Sequence, residues 1–210
     1  MEKELFDKLN TFMNENKGKR KFAQSVDLIV NFREIDFSKP DNRLNMSIKL
    51  PKGKGRESKI MLFTDDKNVA SKAESAGVKV VTAAEIPTIA NDKKRLNELL
   101  NYELLAQPAL MPLIAKGLGQ FLGPRNKMPK PIAGSDIQNI IKDISSTIYI
   151  KSKGKYLPTV HCSVGVEKMS NEDLAENIDE VINTFAKKFG KLHIKSVYVK
   201  LTMSKPLRLL

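Results

Sequence analysis

The stretch Lys17–Phe32, KGKRKFAQSVDLIVNF, decides how this chain is read. Four of its first five residues are Lys or Arg. From Phe22 onward it alternates. Phe22, Val26, Leu28, Val30 and Phe32 share one parity; Ser25, Asp27 and Asn31 share the other. Successive side chains of a strand point to opposite faces, so this pattern predicts a strand with one buried and one wetted face. A basic knot feeding such a strand either meets a polyanion or is only a solvated run of charge. The choice between the two rests on the rest of the chain.

Upstream, residues 2–16 predict an amphipathic helix, with Leu5, Leu9, Phe12 and Met13 on one face and Gly18 beyond its end. Downstream, FREIDFSKPDN reads as a polar loop broken at Pro40. In residues 43–50, Leu44, Met46, Ile48 and Leu50 alternate with Arg43, Asn45, Ser47 and Lys49, a second half-wetted strand that Pro51 stops. PKGKGRES then has no apolar residue and reads as a flexible basic linker and a domain boundary.

Past that linker the style changes. IMLFT, VKVVT and YELLA are short, nearly continuous apolar runs. Helical segments separate and follow them: DDKNVASKAESAG, a Thr82/Glu85 capping box, DKKRLNELLN and PALMPLIAKGLG. Residues 135–146 close this part, with a Ser135/Gln138 capping box and Ile137, Ile140, Ile141 and Ile144 facing inward. Buried strands alternating with helices predict a parallel sheet covered on both faces.

Half-wetted strands then return. STIYIKS and YLPTVHCSVGV flank Lys153-Gly154-Lys155, a hairpin signal. Val160, Cys162, Val164 and Val166 share a face, which leaves His161 on the polar side. Residues 171–189 predict a strong helix, with a Ser170/Asp173 capping box, a stripe of Leu174, Ile178, Val181, Ile182, Phe185 and Phe189, and Gly190 at its end. In HIKSVYVKLTMS, Val197, Val199, Leu201 and Met203 oppose Ser196, Tyr198, Lys200 and Thr202. The two ends share one style and the middle has another. The fold class expected is an α+β discontinuous domain, an antiparallel sheet with helices built from residues 1–53 and 147–210. An α/β domain, residues 54–146, is inserted into it.

Of 210 residues, 41% are hydrophobic and 29% charged, enough for a globular chain with a real core. A net charge of +12 points to an anionic partner, nucleic acid first and a membrane surface second. The one cysteine, Cys162, forbids an internal disulfide and fits a reducing, cytoplasmic setting. No signal peptide opens the chain, and no apolar run is long enough to span a membrane.

Catalytic motifs are weak. His161 and His193 are the only histidines, and neither belongs to a ligand-spaced cluster, so no metal is expected. GLGQFLGP follows a helix and places its third Gly one residue late for a dinucleotide fingerprint. GKGRES lacks the P-loop frame, and no nucleophile has a base at hand, so no cofactor is expected. The C-terminus carries the positive signal. After Glu180 there is no acidic residue and there are seven basic ones, Lys187, Lys188, Lys191, Lys195, Lys200, Lys205 and Arg208. Together with Lys17, Lys19, Arg20 and Lys21 they make both ends basic. With only 6% aromatic residues and no Trp, structured RNA, read through phosphates, 2′-hydroxyls and shape, fits better than a single-strand platform.

LGPRNKMPKP, Leu122 to Pro131, resembles the LGPRG-x-x-P signature of the ribosomal protein L one family, the large-subunit proteins of the mobile stalk. Asn126 stands where Gly is common and tolerates the same left-handed backbone. KF at Lys21, the text from Ser47 to Gly53, HxxVG at His161 to Gly165 and SVYVxxTM at Ser196 to Met203 follow in the family's order. The resemblance implies a discontinuous RNA-binding domain hinged to an inserted Rossmann-like three-layer domain. It implies a cytoplasmic, non-catalytic protein of the large ribosomal subunit, monomeric when free, without cofactor or membrane. Its partners would be the rRNA stalk, tRNA at the exit site, whose movement and release it would serve, and its own mRNA, whose translation it would repress. It carries RNA contact over to Lys21, Phe22, Ser25, Asp27, Ser196, Thr202 and Met203. Ser204, which replaces a family Gly that allows close backbone approach to RNA, is counted in the same site. Lys19, Arg20, Lys188 and Lys200 join the site as phosphate partners on charge alone. The alternatives are a general basic RNA chaperone and, on the inserted domain, a nucleotide-dependent enzyme.

Overall fold

The computed structural model describes residues 3–132, 137–151 and 157–210. The Ser135/Gln138 capping box and the Lys153-Gly154-Lys155 turn lie outside them. In chain order the elements are α1 (Lys3–Asn16), β1 (Ser25–Phe32), β2 (Asn45–Lys49), β3 (Ile60–Phe63), α2 (Lys67–Ser75), β4 (Lys79–Val81), α3 (Ile86–Asn91), α4 (Lys93–Leu99), β5 (Glu103–Ala106), α5 (Met111–Leu122), β6 (Lys130–Pro131), α6 (Ile137–Ser146), β7 (Thr147–Lys151), β8 (Thr159–Val166), α7 (Asn171–Phe189), β9 (Ile194–Leu201) and β10 (Leu207–Arg208). They divide into two compact units, residues 1–56 with 145–210, and residues 57–144.

In the first unit β1 is a central strand of an antiparallel sheet ordered β10-β9-β1-β8. Val26, Leu28, Val30 and Phe32 are buried, and Ser25, Asp27, Ile29 and Asn31 are half-buried. Phe22 departs from the expected parity and is 51% exposed. The ladder explains it: β1 meets β8 and β9 only from Ser25 and Val26 onward, so upstream of them Phe22 has no neighbouring strand to pack beside. Met203 departs likewise, at 58% exposed. There β9 has already ended. The Ser204 hydroxyl accepts from the Leu201 amide (2.9 Å) and the Ser204 amide donates to Leu201 O (3.1 Å), which turns the chain.

Helices α1 and α7 cover the buried face through Leu9, Phe12, Met13, Leu174, Ile178, Val181 and Phe185. Phe32 meets Phe37, Phe185 and Phe189 edge-on at 5.3–5.4 Å between ring centres. Phe37, in the stretch expected to be a polar loop, is therefore core. Each such ring pair adds about 0.5–1.5 kcal/mol beyond its burial. The hairpin signal between β7 and β8 misleads. β7 pairs with β2, joining Met46 to Ile150 and Ile48 to Ile148, while β8 pairs with β1 in the other sheet. At the start of α7 only half of the capping box forms. The Ser170 hydroxyl accepts from the Asp173 amide (3.0 Å), but the Asp173 carboxylate turns to Lys52 (3.5 Å).

Cys162 is only half-buried as a residue, yet its thiol is enclosed, and burial first and Asp27 second push it up to about 12. The thiol is then protonated and unreactive at neutral pH. Ellman's reagent at pH 8 should label it only after denaturation; rapid labelling of the native chain would contradict that burial.

The second unit has a parallel sheet ordered β4-β3-β5-β6. Met61 and Phe63 pack with α3, α4 and α5, and Ile60 and Leu62 pack with α2 and α6 on the other face. Thr82 and Glu85 form the expected capping box. Asn126 takes φ +53°, the left-handed conformation expected of its position.

Candidate nucleic-acid interface

The β1 end that begins at Ser25 is built from three distant segments. The Ser25 amide donates to Thr202 Oγ1 (3.1 Å), and the Thr202 amide donates back to Ser25 O (3.2 Å). The Met203 amide donates to Gln24 Oε1 (3.1 Å), and Gln24 Nε2 donates to Glu167 Oε2 (3.1 Å). Gln24 and Glu167 are 2% and 6% exposed. Their bond therefore forms where an unmade one costs about 1–3 kcal/mol. Neither belongs to the expected site, because a bond between residues this far apart in sequence leaves no local mark. Their role is to pin the 202–204 turn against the start of β1.

Onto this end runs the exposed segment Lys17, Gly18, Lys19, Arg20, Lys21 and Phe22, with Gly18 at φ +74°. Asp27 on β1 stands opposite Lys200 on β9. Lys21, Phe22, Ser25, Asp27, Lys200, Thr202, Met203 and Ser204 thus converge, and Lys19 and Arg20 lie just upstream in the same exposed segment. The arrangement offers cations, hydroxyls and an exposed aromatic side by side, the set that meets phosphates, sugar hydroxyls and an unstacked base. Ser204 carries no positive φ, so the turn does not need the Gly it replaces.

Two expected site residues fall elsewhere. Ser196 is on the open face but only 5% exposed, because Asn31 Nδ2 donates to its hydroxyl (3.0 Å) while Thr159 donates to Asn31 Oδ1 (2.9 Å). It closes a cross-strand polar ladder and presents little surface. Lys188 sits at the opposite end of the sheet, its ammonium over the Phe189 ring (5.3 Å), and Phe189 packs on Phe32. The seven steps from Ser25 to Phe32 span about 23 Å. Lys188 therefore stands apart from the converged cluster.

The described residues of the second unit show little that suits a nucleotide. Gly117 and Gly119 lie inside α5, so the glycine run is helix and not a phosphate loop. The N-terminus of α2 is filled by Asp66, which accepts from the Asn68 and Val69 amides (2.9 and 3.4 Å). Asp65 beside it accepts from Ala83 (2.8 Å). Two carboxylates where a phosphate would sit oppose it.

The profile of the Ribosomal protein L1p/L10e family matches residues 13–205. The chain is 41% identical over 192 residues to large ribosomal subunit protein uL1 of Methanothermococcus thermolithotrophicus, covering 89% of each. It is 41% identical over 190 residues to the uL1 of Pyrococcus abyssi (88% of this chain, 85% of the relative). The uL1 of Methanocaldococcus jannaschii is 40% identical over 190 residues, with the same coverage.

Proposed function

Because this chain belongs to the ribosomal protein L1p/L10e family, we propose that it is a structural constituent of the large ribosomal subunit in the cytoplasm that binds the stalk region of large-subunit rRNA. The observation that carries this reading is the convergence of the basic knot, Ser25 and the 202–204 turn at one end of the sheet. The two units serve as two domains, the one built from both termini holding the RNA. Movement and release of deacylated tRNA at the exit site, and repression of its own mRNA through a similar RNA shape, follow as further roles. The protein works without catalysis or cofactor and is a monomer when free of the ribosome.

Chemical footprinting of large-subunit rRNA with the full-length protein tests this. Protection should be confined to one stem region; protection scattered along the rRNA would favour a general basic chaperone. Thr202→Val sharpens the test. It removes the hydroxyl that ties the turn to Ser25 and can face RNA, and should cost about 1–3 kcal/mol of binding to the protected RNA. Affinity for random duplex and the salt dependence should hardly change, since no charge is lost.

A further inference from the structure

We propose that the open face of the four-stranded sheet carries a stacking row, His161–Ile29–Tyr198–Arg208, that receives an unpaired nucleotide of the bound RNA. The inference rests on the RNA-binding reading above and specifies the chemistry of its partner. Ile29 is paired with His161 on β8 and with Tyr198 on β9, and Tyr198 is paired with Arg208 on β10. Residues directly opposite in neighbouring strands share a face. Their flanking residues Leu28, Val30, Val197 and Val199 are buried on the other side. The four side chains therefore form one line across all four strands, about 14 Å from end to end.

His161 and Arg208 are exposed, and Ile29 and Tyr198 are half-buried between them. Arg208 Nε donates to Leu210 O (2.9 Å), which fixes the guanidinium at the edge of the row. An imidazole, an aliphatic floor, a phenol ring and a guanidinium plane are the surfaces on which a base stacks. The rows on either side decide the occupant. Toward Thr202 lies Ser163–Asp27–Lys200, and on the other side the Thr159–Asn31–Ser196 ladder. The Asp27 carboxylate repels a phosphate over β1 and leaves Lys200 and Arg208, on β9 and β10, to hold one. Duplex backbone would lay phosphates across a row whose centre, Ile29, donates nothing. A base stacked over Tyr198 and Ile29, with its phosphate toward Lys200, satisfies both. The row is continuous with the converged end through Asp27 and Lys200, so one RNA can reach both. With so few aromatics in the chain, the row suits one or two nucleotides and not a long single strand.

The test uses the full-length protein with two labelled probes, hexaadenylate and a blunt 12-base-pair RNA duplex. Tyr198→Ala and His161→Ala should each weaken hexaadenylate binding about tenfold and leave duplex binding within about twofold. Tyr198→Phe should bind both probes as the parent does, because a ring without the hydroxyl still stacks. An equal loss on both probes, no loss on either, or a Tyr198→Phe variant as weak as Tyr198→Ala would overturn the proposal; His161→Ala, at an exposed position, guards against a folding defect at Tyr198. If the rRNA footprint persists while Tyr198→Ala binds hexaadenylate like the parent, the stacking row fails alone. If the footprint itself is absent, the functional reading beneath it fails.

Discussion

Replacing Lys19, Arg20 and Lys21 together by alanine should lower affinity for the cognate RNA about a hundredfold near 0.15 M salt. Each phosphate neutralised contributes roughly 0.7–0.9 to the slope of log affinity against log salt, and each unit of slope is worth close to a decade at that ionic strength. If all three cations meet phosphates, removing them should therefore flatten the slope by about two to three units. All three side chains are exposed and precede the strand, so the fold should be unaffected. Lys188→Ala is the counterpart at the far end of the sheet. If its ammonium, held over Phe189, also meets a phosphate, that variant should reduce the slope by no more than about one unit. Isotherms at three salt concentrations decide both. A triple variant with the parent's slope would remove the basic knot from the interface.

How much of this is legible in the sequence depends on what sets each feature. The face of β1 is readable because a strand's side chains alternate with period two, and Val26, Leu28, Val30 and Phe32 obey it. The strand's ends are not, because they are set by the length of β8 and β9 and not by the alternation of β1 itself. Phe22 and Met203 continue the pattern in sequence but lie past the ladder, in water. For an interface this is the useful error, since the thioether belongs to the turn that Gln24 pins and the exposed ring lies just upstream of Gln24. Ser196 is covered for a different reason. Its parity is right, but Asn31 claims its hydroxyl, and cross-strand partners cannot be read without the register. β7 and β8 look like a hairpin because the turn chemistry between them is local, while their true partners, β2 and β1, lie far off in sequence. The helical stripes and the buried strands of the second unit are readable because burial on both faces leaves a continuous apolar run, as Ile60–Phe63 does.

The largest stability effect should come from Asn177, a polar residue on α7 with no exposed surface. Its Oδ1 accepts from the Lys52 amide (3.0 Å), and its Nδ2 donates to Gly53 O (2.9 Å) and Val164 O (2.8 Å). One side chain thus fastens the chain after β2 to both α7 and β8. The clamp is tightened around it. Gly55 sits at φ +69°, and a Cβ there would run into Met169 and Val166, so the backbone lies directly on those side chains. Lys52 adds ion pairs to Asp173 and Glu176 at 3.5 Å. Asn177→Leu keeps the volume but strands one amide and two carbonyls, which should cost about 3–5 kcal/mol. The unfolding midpoint should drop by roughly 10 °C. Asn177→Asp keeps the acceptor for Lys52 and sets a carboxylate against two carbonyls. Its folded pKa should lie above the unfolded one, so its defect should be full at neutral pH and shrink as pH falls through that folded value. Both variants should free residues 51–56, and trypsin should then cut after Lys52, Lys54 or Arg56 faster than in the parent. A leucine variant with the parent's midpoint and the parent's cleavage rate would show that Asn177 does not hold this segment.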